Sequence, residues 1–160
     1  MPIEPKRELL RHTLATVAYR GRKVLVGAPS GFENLRINET SRTPGEILAH
    51  LCDLYDWASS LAKGAWEWTD SRPGEWSKDV DRFFAAIQKL DAYLASDAPL
   101  GQAPELLFQA PIADSLEHIG QIAYLRRIAG SPVRGESYAR ADITVGRVGL
   151  DQAPPNVEFD

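Results

Sequence analysis

Apolar residues recur at helical spacing in four stretches of this chain, separated by breaks rich in Gly and Pro. From about Pro5 to Tyr19 they fall at Leu9, Leu10, Leu14, Val17 and Ala18, a stripe that predicts a first helix. Residues 27–41 then read as a loop. Thr43-Pro44-Gly45-Glu46 has the form of a helix start: a threonine cap, a proline at the first helical position and a glutamate placed for reciprocal capping. The second helix carries Ile47, Leu48, Leu51, Leu54, Ala58 and Leu61 on its inner side, with His50 on that side or its edge.

Residues 66–76 read as a loop ending at a Ser77 cap. Val80, Phe83, Phe84, Ile87, Leu90 and Leu94 then mark a third helix. A connector over 97–110 contains a short helical piece around Leu106, and Pro111 opens a fourth helix that stops at Gly130. Apolar residues cover most of that helix's circumference, which predicts a central, well-buried position. Beyond Pro132 the helical period disappears and only Ile143-Thr144-Val145 looks β-like. The expected architecture is all-α: a four-helix bundle over 1–132, and an extended tail over 133–160 that packs on the bundle or on a partner chain.

Length and composition sharpen this picture. The 160 residues suit one domain, with 44% hydrophobic and 25% charged residues. A net charge of −4 and a pI near 5.4, with no basic tract, argue against a nucleic-acid partner. No apolar run approaches the ~20 residues of a membrane span. The N-terminus lacks the layout of a signal peptide, and the single cysteine, Cys52, cannot form an internal disulfide. A soluble cytoplasmic protein is the expectation.

The candidate chemistry centres on Asp114 and His118. Residues at i and i+4 share a helix face, so a carboxylate and an imidazole there can grip one divalent ion, with His50 as a third ligand from another helix. Three protein ligands would leave coordination positions open for water or substrate. The competing reading is an Asp–His hydrogen bond, or a salt bridge from Asp114 to Arg126 or Arg127. Gln121, one turn beyond His118, is placed to orient a bound water or ligand. Trp57, Trp66, Trp68 and Trp76 either line a pocket mouth or fill the core. Cys52 points about 200° away from His50 on its helix and is not expected to be a ligand. His12 reads as a surface residue, and the Arg126-Arg127 pair as solvated or clamping the tail.

Thr43-Pro-Gly-Glu-Ile-Leu-Ala-His50, followed by Asp114-x-x-x-His118-Ile-Gly-Gln-Ile-Ala-Tyr-Leu-Arg-Arg-Ile-Ala-Gly130, resembles the DinB-like family of metal-dependent enzymes. The resemblance covers the second and fourth helices and the helix order, but not the tail. It implies an up-down-down-up four-helix bundle, a homodimer, and one divalent ion held by three histidines. Two of those come from an H-x-x-x-H pair followed by Gly-Gln. His50 and His118 match the outer positions, and Asp114 stands where the family has histidine. Related thiol-dependent isomerases use an acidic residue there. Two imidazoles and one carboxylate suit zinc or nickel, with iron or manganese as further choices.

The resemblance further implies a low-molecular-weight thiol, such as bacillithiol or mycothiol, activated on the metal to attack a small electrophile as a transferase or isomerase. A metal-dependent hydrolase and a non-enzymatic small-ligand-binding bundle are the alternatives. Substrate choice is expected from loops 27–43 and 66–76 or from the tail.

Overall fold

A computed structural model describes residues 4–160; the reading of the N-terminus as leaderless falls partly on residues 1–3, outside them. The chain is mostly helical. In order come α1 (Pro5–Leu25), α2 (Pro44–Ala62), α3 (Trp76–Ala95), the single turn α4 (Pro104–Leu107), a π-helical turn (Phe108–Ile112) and α5 (Ala113–Ile128). Strands β1 (Gly135–Glu136) and β2 (Glu158–Phe159) pair antiparallel, Gly135 opposite Phe159. Both α1 and α2 pack against α3 and against α5. One core draws on all four long helices and takes in Val148 from the tail. Among the described residues, no helix is long and apolar enough to cross a membrane.

Local chemistry fixes the start of α2 as its sequence predicts. Thr43 Oγ1 accepts from the Glu46 N–H at 3.2 Å, and Glu46 Oε2 accepts from the Thr43 N–H at 2.8 Å. These reciprocal bonds satisfy donors that a bare helix end would leave orphaned.

Several boundaries differ from the sequence reading. Helix α1 continues past Tyr19 to Leu25, and Val24 and Leu25 are buried. Gly21 does not end it: a Cβ there would lie 2.9 Å from Phe83 Cε1, so the glycine lets α1 and α3 approach closely. Arg22 and Lys23 in the last turn complement the negative end of the helix dipole. Leu9, expected on the inner stripe, is 63% exposed, because Leu10 and Leu14 already fill the buried face. Helix α3 begins at Trp76 without a side-chain cap, and Ser77 instead donates to Glu75 Oε1.

Pro111 does not open the last helix. It lies inside the π-helical turn that joins α4 to α5 without a break. A widened turn accommodates the missing proline N–H within one continuous helical segment. Nor is α5 central: Glu117, Gly120, Gln121 and Tyr124 leave one side of it open. Ile143-Thr144-Val145 forms no strand, and the two short strands lie on either side of it.

The tail is fastened to α1. Tyr19 donates to Glu136 Oε2 at 2.8 Å, and Lys23 pairs with Glu136 at 2.7 Å and with Glu158 at 3.4 Å. The Arg20 guanidinium lies 3.8 Å from the centre of the Tyr138 ring.

Candidate metal centre

Helices α2 and α5 pack together, and their contact brings His50, Asp114 and His118 into one group. His50 comes from the second turn of α2. Asp114 and His118 come from the first half of α5, just after the π-helical turn. One donor atom from each residue lies within 4.8 Å of the others. Asp114 divides its carboxylate between the imidazoles: Oδ2 is 3.4 Å from His50 Nε2 and Oδ1 is 3.4 Å from His118 Nε2. The two rings are nearly perpendicular, their centres 4.7 Å apart.

These distances suit both an Asp–His hydrogen bond and a shared ion. His50 Nε2 and Asp114 Oδ2 make a long hydrogen bond at 3.4 Å, against a usual ~2.9–3.0 Å, and His118 Nε2 lies 3.4 Å from Asp114 Oδ1. Donors that share a tetrahedral ion at ~2.0–2.1 Å lie about 3.3–3.4 Å apart, the spacing of both His–Asp pairs. The salt bridge from Asp114 to Arg126 or Arg127 is not formed. Arg126 turns away to Val24 O at 2.9 Å and to Ser131 O at 2.9 Å, where it closes the ends of α1 and α5. Arg127 is exposed and pairs with no carboxylate among the described residues.

Protonation favours ligation. Burial holds the His50 pKa below its ordinary value, and the neighbouring His118 and Arg42 act in the same direction. The nearby Asp114 opposes them, and the net shift is downward, toward the neutral form that ligation needs. On His118, Nδ1 lies 2.9 Å from Gln121 Oε1. An amide oxygen only accepts, so Nδ1–H donates to it, which leaves Nε2, the nitrogen that faces Asp114, as the ligand atom. Gln121 thus stands behind His118 and fixes its tautomer, in addition to lining the open cleft beside it.

The group is half open. His118 is 9% exposed, whereas the Asp114 side chain is 40% exposed. A cleft of about 740 Å³ lies beside it, walled by Ile37, Ile47, Leu125 and Tyr124, with Arg42 and Gln121 among its polar groups. That size suits a small molecule. A second opening of about 630 Å³ reaches His50 from the side of Ser71 and Arg72.

The tryptophans divide by position. Trp68 meets the edge of His50 with ring centres 5.6 Å apart, and Trp57 packs between Trp66 and Trp68 at 5.7 Å from each. Trp76 lies elsewhere, against Phe32, and donates to Leu25 O. Cys52 is fully buried and takes no part in the group; burial pushes its thiol up to about 12. His12 is exposed, as expected.

Three supports escaped the sequence reading. Asp53, 1% exposed, accepts from Arg82 Nη2, Ser71 N and Ser71 Oγ, each at 2.7 Å, and so ties loop 66–75 to α2 and α3. An acid within an otherwise apolar helical stretch was the available signal. Tyr55 OH and Ser115 Oγ lie 2.7 Å apart and join α2 to α5 next to Asp114. Arg42, at the cleft, carries no periodic or spacing signal at all. Compared with family models, curated proteins and solved structures, the chain matches none of them.

Proposed function

We propose that this chain is a DinB-like metalloenzyme: an up-down-down-up four-helix bundle, working as a homodimer, that holds one divalent ion between α2 and α5. The observation that carries this reading is the Asp114 carboxylate, shared at 3.4 Å by two imidazoles next to an open cleft. His50, Asp114 and His118 would be the ligands, with zinc or nickel as the first choices and iron or manganese after them. When bound, such an ion supplies Lewis acidity that makes a thiol or a water nucleophilic near neutral pH.

The chain's own residues do the rest. Gln121 holds His118 in the tautomer that presents Nε2. The Tyr55–Ser115 bond keeps α2 and α5 in register at the ligands. The partly exposed side of Asp114 leaves an approach for a third party, and the apolar wall of Ile37, Ile47 and Leu125 limits water around it. This arrangement fits a transferase or isomerase that joins a low-molecular-weight thiol to a small electrophile. The resemblance to thiol-using relatives favours it over hydrolysis.

Cobalt-substituted protein titrated with low-molecular-weight thiols tests the choice. A thiol that enters the site should produce a sulfur-to-cobalt absorption band, and His118→Ala should remove it. Cobalt-loaded protein whose spectrum no thiol changes would count against the transferase and leave the hydrolase.

A further inference from the structure

We infer that the cleft beside the metal centre takes a ligand with a metal-binding head and a carboxylate arm, and that Arg42 receives the carboxylate. The inference rests on the metal reading above. Arg42 lines both approaches to the group, the cleft that contains His118 and the opening that reaches His50. It is the one cationic side chain common to the two. Among the described residues its guanidinium makes no ion pair or hydrogen bond. Arg36, from the same loop, is already occupied by Glu46 Oε1 at 2.8 Å and Ser41 O at 2.6 Å.

The loop holds Arg42 in place from both sides. Asn38 Oδ1 accepts from the N–H groups of Thr40 at 3.0 Å and Ser41 at 2.9 Å. Immediately after Arg42 comes Thr43, locked into the start of α2 by its exchange with Glu46. The unpaired cation therefore stands on an ordered segment. The same cleft is lined by Ile37, Ile47 and Leu125 and by His118 of the His–Asp–His group.

A planar guanidinium offers paired donors that match a carboxylate; Arg42 is exposed, so its guanidinium is free to turn toward a ligand in the cleft. The other charged group in that cleft, Glu117, is exposed, makes no ion pair among the described residues and would repel an anion. Neutralising it should therefore help an acidic ligand.

The test uses cobalt-substituted full-length protein and its visible spectrum. The probes are monohydroxamates of aliphatic dicarboxylic acids of increasing chain length, each paired with the alkyl hydroxamate of equal length. Hydroxamate engages the metal, so within each pair only the carboxylate differs. The wild type should bind the best acid-bearing probe about two- to fivefold more tightly than its neutral partner. Arg42→Ala should abolish that preference, Arg42→Lys should keep part of it, and Glu117→Gln should preserve or increase it. Equal affinities in the wild type, or a preference that survives Arg42→Ala, would overturn this inference alone. Failure to take up cobalt would overturn the metal reading and this inference with it.

Discussion

Asp114 and Cys52 show how position decides what a reactive side chain can do. Asp114 follows the π-helical turn on the half-open side of α5, where its two oxygens can serve two histidines. The spacing to His118 was legible in the sequence, because i and i+4 share a helix face whatever the surroundings. The arrival of His50 was legible only through the capping signals that set the phase of α2. Arg42 was not legible, since loop residues have no period and their neighbours depend on how the chain folds back. Cys52, two residues from His50, faces the opposite way into the core.

Its ordinary pKa of 9.0 is pushed up to about 12 by burial, so the folded state holds the proton more tightly than the unfolded chain. That contribution to stability is complete below about 9 and is lost as pH rises from there toward 12. Native protein at pH 8 is thus expected to react with a thiol-specific chromogenic reagent only as fast as it unfolds, and denatured protein at once. Rapid stoichiometric reaction of the native protein would show the thiol to be accessible after all.

At the scale of elements, apolar periodicity located every long helix because burial of one stripe is what stabilises each of them. It misjudged ends and depth where another force prevailed. Pro111 looked like a helix start, yet the π-helical turn absorbs it. Ile128 looked like a core residue of α5, yet it is exposed, as is Tyr124 at the border of the cleft. The α2–α5 contact is also more than apolar packing. Tyr55 is fully buried and its hydroxyl bonds Ser115, which in turn donates to Ile112 O at 2.7 Å. Tyr55→Phe keeps the ring and removes one buried bond, at an expected cost of about 1–2 kcal/mol. Thermal unfolding should show a Tm lower by a few degrees, with weaker metal retention. An unchanged Tm would mean that this bond does not fasten α5 to α2.

In the whole molecule, the site faces one way and the tail is secured elsewhere. Glu136 is buried and receives both Tyr19 and Lys23 of α1, so the tail is held by a compensated buried charge rather than by a large sheet. The surface near Asp114 and Arg42 lies away from that anchorage, on the α2–α5 side, and remains open to a ligand. The central claim is that the two helices meet in order to hold an ion. Elemental analysis of the full chain, purified without a histidine tag and without chelator, tests it most directly. About one divalent ion per chain is expected, lost in His50→Ala, Asp114→Ala and His118→Ala while each variant stays folded by circular dichroism. Wild-type protein that is folded and free of metal would contradict it.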